Sequence, residues 1–366
     1  MRFSTALVVL LFVAVAVQAK SSTSPTLTYW HRKLPWTPIP DALRELISPL
    51  SLQKTSELLD AMREGKQVSM GEAALTPKFG RKGGRDSDGV ANDDDIVTVV
   101  YNGAANDDDI VTVAYDGVAD DDDTISVAYD GVADGDDIIA NPSLSAMFFL
   151  EKDLHTGTKL TLYSRLLNRS SPDSRIFFLP RPLAEAIPFS SHKLSVALEK
   201  LEISEGSDTA LVMKQTLKVC ENPTASGESR YCATSLESMI DYATSTLETS
   251  RLNVLETNVP CNVESQQYTI TGLPFQSKSG LKSVVCHRQK YAHAVYYCHE
   301  TQHTTTARVS LKGEDGSSGE GVAVCHSDTS GWNPKHLAFK MLNVKPGGSP
   351  ICHFMLDGNV LWLPAN

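Results

Sequence analysis

Apolar and polar residues alternate in three different regimes along these 366 residues. At the N-terminus, Ala6 to Val17 is an unbroken apolar run. In the middle, short β-branched stretches are separated by blocks of Asp. From Ala146 onward, mixed apolar and polar segments predict a folded domain of α+β class, sheet-dominated toward its C-terminus. Helices are expected from Asp41 to Leu59, with Asp41 as cap and Pro49 interrupting, and over 191–201. Another is expected from Thr234, where Thr234 and Glu237 have capping-box spacing. Its apolar residues Leu236, Met239, Ile240, Ala243 and Leu247 fall on one helical face. Residues 176–181 read as a buried segment. After residue 266 the spacing turns strand-like, with strands expected at 283–287, 294–299, 307–311, 321–326, 337–344, 350–354 and 359–363.

The N-terminal run is too short to span a bilayer and follows a basic Arg2. Val17-Gln18-Ala19 has small residues where a signal peptidase requires them, so cleavage is expected after Ala19 and residues 1–19 are a signal peptide. No other run reaches membrane length, so no membrane anchor is expected after cleavage. Residues 20–85 form a leader and linker. The expected layout continues with acidic repeats over 86–140 and a folded domain over 147–366.

Net charge is −11, and its distribution matters more than its sum. Residues 86–137 hold 17 Asp and no Lys, Arg or Glu, so the remainder carries a net +6. Scattered basic residues in a secreted chain give no support for nucleic-acid binding. The acidic segment contains three 14-residue units at 93–106, 107–120 and 121–134, each an Asp block, a β-branched stretch ending in Val-X-Tyr, and an Asn-Gly or Asp-Gly turn signal. Such units fit short hairpins or a solvated Asp array as well as repeated substrate segments.

Seven cysteines occur: Cys220, Cys232, Cys261, Cys286, Cys298, Cys325 and Cys352. In an oxidising compartment most should pair, and Cys261 is the expected odd one. Four are followed by histidine: Cys286-His287, Cys298-His299, Cys325-His326 and Cys352-His353. Each dipeptide ends an expected strand, where neighbouring side chains face opposite ways. The cysteines should therefore form disulfides on one face, in pairings the spacing leaves open, while His287, His299, His326 and His353 converge on the other. Imidazoles so placed suit copper, zinc, iron or nickel. A mixed Cys/His zinc site is the rival. His155, His303 and His336 are further candidate ligands, and Asn168 is a glycosylation acceptor. No nucleophile elbow or phosphate-cradling loop occurs.

The Cys-His spacings, together with Phe148-Phe149-Leu150-Glu151, Val295-Tyr296-Tyr297-Cys298-His299, Trp332-Asn333-Pro334 and Trp362-Leu363-Pro364, resemble the plant BURP-domain family over roughly residues 147–364. The chain departs from that pattern at His293 and Cys261. Tyr29-Trp30 and Leu34-Pro35 resemble the family's short N-proximal segment. The resemblance implies a further disulfide, Cys220 to Cys232. It also implies two functional alternatives. One is a non-enzymatic protein of the plant cell wall acting in stress response or development, touching acidic polysaccharide. The other is a copper-dependent peptide cyclase that uses molecular oxygen on its own repeats, in the apoplast or vacuole. In the second, Tyr101, Tyr115 and Tyr129 would be crosslinked to Val99, Val113 and Val127. Joining the phenol oxygen to Cβ two residues earlier closes a ring of about 14 atoms, a size that resembles cyclopeptide alkaloids.

Overall fold

The computed structural model describes residues 24–64, 148–163, 176–222, 229–260, 265–277, 280–301, 304–332, 334 and 336–365, with short pieces at 111–112 and 126–127. The signal peptide with Ala19, the acceptor Asn168, Cys261 and His303 lie outside these residues. So do the repeats, apart from an antiparallel pairing of β1 (Val111–Thr112) with β2 (Ser126–Val127).

Helices are α1 (Pro25–Lys33), α2 (Asp41–Arg44), α3 (Leu52–Arg63), α4 (Arg181–Ala186), α5 (Leu194–Lys200), α6 (Asp208–Glu221), α7 (Leu236–Thr246) and α8 (Leu337–Leu342). The further strands are β3 (Phe148–Leu150), β4 (Lys159–Tyr163), β5 (Arg230–Ala233), β6 (Leu252–Glu256), β7 (Ser265–Gln276) and β8 (Ser283–Gln289). They continue with β9 (Val295–Thr301), β10 (Thr304–Gly313), β11 (Ser318–His326), β12 (Ile351–Phe354) and β13 (Val360–Pro364). Two antiparallel sheets result, one in the order β3-β12-β11-β10-β7-β4 and one in the order β5-β9-β8-β13-β6.

The sheets meet through Val322 and Val324 of β11 and Met355 beyond β12, packed against Leu255, Val285, Leu361 and Leu363 of the five-stranded sheet. The other face of the five-stranded sheet buries Cys286, Cys298, Tyr296 and Trp362 against α7 and the N-terminal segment. The corresponding face of the six-stranded sheet buries Cys325 and Cys352 with Phe149, Phe354 and Tyr268. A fourth apolar cluster gathers α4, α5 and α6 beside Tyr291 and Val295.

Four local features differ from the pattern expected of the sequence. Within residues 337–344, expected as a strand, Leu337–Leu342 form α8, capped by the His336 side chain and ended by Asn343 in the left-handed region. The capping box of α7 is Ser235 with Ser238, one residue beyond the Thr234–Glu237 pair, because Glu237 is buried and accepts from Thr26 Oγ1 at 2.9 Å. The Asp41-to-Leu59 helix is interrupted around Pro49 as expected, but the break is wider than one proline, running from Arg44 to Leu52, where Ser51 caps the second helix. Asp41 does not act as a cap; the Glu256 carboxylate accepts from the amides of Asp41 and Ala42 at 2.8 and 2.7 Å.

The leader is not set apart from the domain. Trp30, Leu34, Leu43 and Leu46 are buried in the cluster that holds Trp362, with the Trp30 and Trp362 ring centroids 5.8 Å apart. Leu50 and Leu58 join the cluster of α4 to α6.

A candidate metal centre of two histidine pairs

Strand parity places the chemistry. In β8 and β9, Cys286 stands directly opposite Cys298, and in β11 and β12, Cys325 stands opposite Cys352. Both pairs are disulfide-bonded, as is Cys220 of α6 with Cys232 of β5. Each histidine, one residue further, must face the other way. His287 and His299 share their face with Val285, and His326 shares its face with Val322 and Val324. All three valines belong to the apolar layer between the sheets, so the histidines occupy the rim of that layer.

They meet two by two. His287 Nε2 lies 3.2 Å from His299 Nε2, with the rings stacked at 15°. His326 Nε2 lies 3.4 Å from His353 Nε2, with the rings at 23°. One pair comes from each sheet. Among the described residues, no group of three or more His, Cys, Asp or Glu side chains is placed to hold a metal ion, so the candidate centre rests on two separate histidine pairs.

Burial keeps these imidazoles neutral. It lowers His326 to about 3, aided by His353, His299 and His336. It lowers His299 to about 4 against an opposing hydrogen bond to Glu300, and lowers His353 against one to Phe354. His287 is held well below the usual histidine value by burial, then by His299 and His353. The field of one pair is thus felt by the other.

Tautomers follow from the backbone. Nδ1 of His299 faces the Glu300 carbonyl at 3.3 Å, and Nδ1 of His353 faces that of Phe354 at 3.2 Å. A carbonyl only accepts, so Nδ1 carries the proton and Nε2 presents a lone pair to its partner ring. This is the outer-shell arrangement that orients metal-binding histidines. Two nitrogens bound to one ion at 2.0–2.1 Å across a tetrahedral angle stand about 3.3–3.4 Å apart. The 3.2 and 3.4 Å separations match that edge, and neutral imidazole donors suit copper, zinc, iron or nickel. The six described cysteines are consumed in disulfides, which removes the thiolates that the mixed zinc site required.

Flanking residues close the second pair. Trp332 lies edge-on to His326 at 5.0 Å, and Phe148 edge-on to His353 at 6.3 Å. His336 lies tilted against Trp332, ring centroids 4.8 Å apart, and is lowered to about 4 by burial and then His353. Its Nδ1 accepts from the Ala338 amide at 3.2 Å, so its proton sits on Nε2, the reverse of His353. It therefore presents no lone pair on Nε2 and serves as a helix cap beside the centre. His155 is exposed and bonded to Thr156 and Thr158. Sequence reasoning noted Trp332 without assigning it to the centre; Phe148 and Tyr297, 5.7 Å from His299, were missed as neighbours. The only signal for them was the aromatic content of the Phe148-Phe149 and Tyr296-Tyr297 runs.

Two facing sheets, each stapled by a cross-strand disulfide and each presenting a histidine pair to the space between, define a cystine-braced β-rich domain with a candidate metal centre. The BURP-domain family model matches residues 147–364, and the chain belongs to the BURP-domain family. It is 45% identical over 219 residues to BURP domain protein RD22 of Arabidopsis thaliana, covering 60% of this chain and 55% of that protein. It is 46% identical over 220 residues to BURP domain-containing protein 3 of rice, covering 59% and 50%. With Protein RAFTIN 1B of wheat it shares 36% over 220 residues, covering 60% and 59%. The matched region thus spans about half the length of these curated relatives. Among the described residues, no helix is long and apolar enough to cross a membrane.

Proposed function

We propose that this chain is a secreted, copper-dependent peptide cyclase that acts on its own Val-X-Tyr repeats and so is also the precursor of its cyclic products. The observation that carries this reading is the pair of Nε2–Nε2 separations, 3.2 and 3.4 Å, between neutral imidazoles on the inter-sheet face. The apolar N-terminal run and the three disulfides support an oxidising destination.

Copper at this centre, with molecular oxygen, would supply a two-electron oxidation. The residues of the chain do the rest. His287, His299, His326 and His353 would hold the ions, and the backbone carbonyls of Glu300 and Phe354 keep two of the rings oriented. In each repeat the Tyr101, Tyr115 or Tyr129 phenol loses its O–H hydrogen, and Val99, Val113 or Val127 loses its Cβ–H hydrogen. An O–Cβ bond forms, and the two electrons and two protons reduce one dioxygen to hydrogen peroxide. Tethering raises the effective concentration of the repeats at the domain.

The test is to incubate the intact protein with copper and air, then digest it and weigh the repeat peptides. Each repeat should lose about 2 Da, the mass of two hydrogens removed in one two-electron oxidation. Replacing His287 and His326 with Ala should abolish the loss. Unchanged masses with copper bound would overturn the reading. A non-enzymatic cell-wall role is favoured instead by the net +6 outside the acidic segment. It predicts salt-sensitive binding to acidic polysaccharide that survives the same substitutions.

A further inference from the structure

The N-terminal segment is held by the domain along its whole described length, and none of the three disulfides reaches it. In α1, Thr26 donates to the buried Glu237 at 2.9 Å, and Tyr29 donates to Asp241. Lys33 and Arg181 pair with the same Asp241 at 3.4 and 2.7 Å. Trp30, fully buried beside Trp362, donates its indole N–H to Thr37 at 2.8 Å, and Thr37 Oγ1 donates to the Leu252 carbonyl at 2.8 Å. Glu256 caps α2, and the Phe178 amide donates to the Leu46 carbonyl at 2.7 Å. Leu50 and Leu58 then reach the cluster of Leu179 and Leu183. Four elements of the domain are therefore engaged: α4, α7, β6 and the stretch before α4.

Contacts of this kind belong to a core more than to a surface arm. Without the segment, Trp362, Ala233 and Leu236 would lose their apolar cover, and the Glu256 carboxylate the two amides that donate to it. The covalent route from the segment to the domain runs instead through residues 65–147, which include the acidic repeats.

We propose that residues 24–64 are a non-covalent subunit of the domain. They bind the surface formed by α4, α7 and β6 tightly enough to stay there after the chain is cut between the segment and the domain. Maturation of the repeats would then yield a two-chain protein, and the leader would not be discarded with the excised residues. This holds whether or not the histidine centre carries a metal, because it rests on different residues.

The experiment uses the full-length chain with a site-specific protease sequence inserted between Met70 and Arg85. The cut protein is passed through a sizing column under native conditions and weighed by native mass spectrometry. The two fragments should travel together at 1:1 and separate only in denaturant. A leader fragment that elutes alone from the natively cut protein overturns the proposal. A second cut protein carries Trp30→Ala. Removing a fully buried Trp should weaken retention of the leader by about 100-fold or more. Retention equal to that of the parent overturns the assignment of Trp30 as the anchor. If Trp30→Ala prevents folding of the uncut chain, Leu34→Ala replaces it, and the parent's co-elution still decides.

Discussion

His299, His353 and His336 have their protons placed by a neighbouring backbone group. His353, beside the Phe354 carbonyl, keeps Nε2 free, whereas His336, beside the Ala338 amide, does not. The two residues should therefore respond differently to substitution. His336→Asn keeps a capping acceptor and should leave the number of bound copper ions unchanged in a metal-content assay. His336→Ala should lower stability by about 1 kcal/mol, read from a urea midpoint, through loss of the cap. His353→Ala should remove the ion at its pair. The separation of Cys from His was legible in the dipeptides, since strand parity alone assigns them opposite faces. Which histidine meets which was not legible, because it depends on register within two different sheets. The capping role of His336 was hidden too, since it needs a helix where the mostly apolar segment Leu337 to Leu342 suggests a strand. Six residues, with Lys340 among them, have no period long enough to choose.

At the scale of elements, the N-terminal helices depend on carboxylates supplied by the domain. Glu256→Gln should cost about 1 kcal/mol of stability, since a neutral amide accepts less strongly from the α2 amides than a carboxylate does. Asp241 links α7 to α1 and α4. Burial pushes its carboxyl up, but the hydrogen bonds from Tyr29 and Arg181 and the charges of Arg181 and Lys33 outweigh burial and hold it below the usual range. The unfolded carboxylate titrates near about 3.9. A lowered folded value means that Asp241 stabilises the docked state fully above that pH and loses its contribution as pH falls through the folded value. Docking of α1 should weaken in strong acid, followed by protease sensitivity of the leader, and Asp241→Asn should flatten that pH dependence. None of this was legible from the leader itself. Trp30 and Leu34 announce something to bury, but only the fold shows that α7 and β6 bury it. Helix α6, absent from the expected pattern, places Cys220 against Cys232 of β5.

For the whole molecule, the inter-sheet layer and the two histidine pairs are one construction, because the same strand faces supply both. Leu361→Ala should cost about 2–5 kcal/mol in a urea titration, as a fully buried Leu in that layer. An ion that binds only the folded chain stabilises it by about 2.7 kcal/mol at a hundredfold excess over its dissociation constant. Copper should therefore raise the thermal midpoint of the parent and leave that of a His287→Ala, His326→Ala variant unmoved. The α+β class and most C-terminal strands were readable from periodicity. The division of those strands between two sheets was not, since β8, β9 and β13 join one sheet while β10, β11 and β12 join the other.

The alternation of Cys and His also gives the chain a means of checking itself. A slip of one residue between β8 and β9, or between β11 and β12, would exchange faces, turning thiols toward the inter-sheet space and imidazoles toward the outer cores. In that misaligned state Cys286 no longer opposes Cys298, nor Cys325 Cys352, so oxidation cannot seal the error in place. Only the alignment that closes both cystines also assembles both imidazole pairs. Cystine closure and imidazole pairing are thus satisfied by one and the same register.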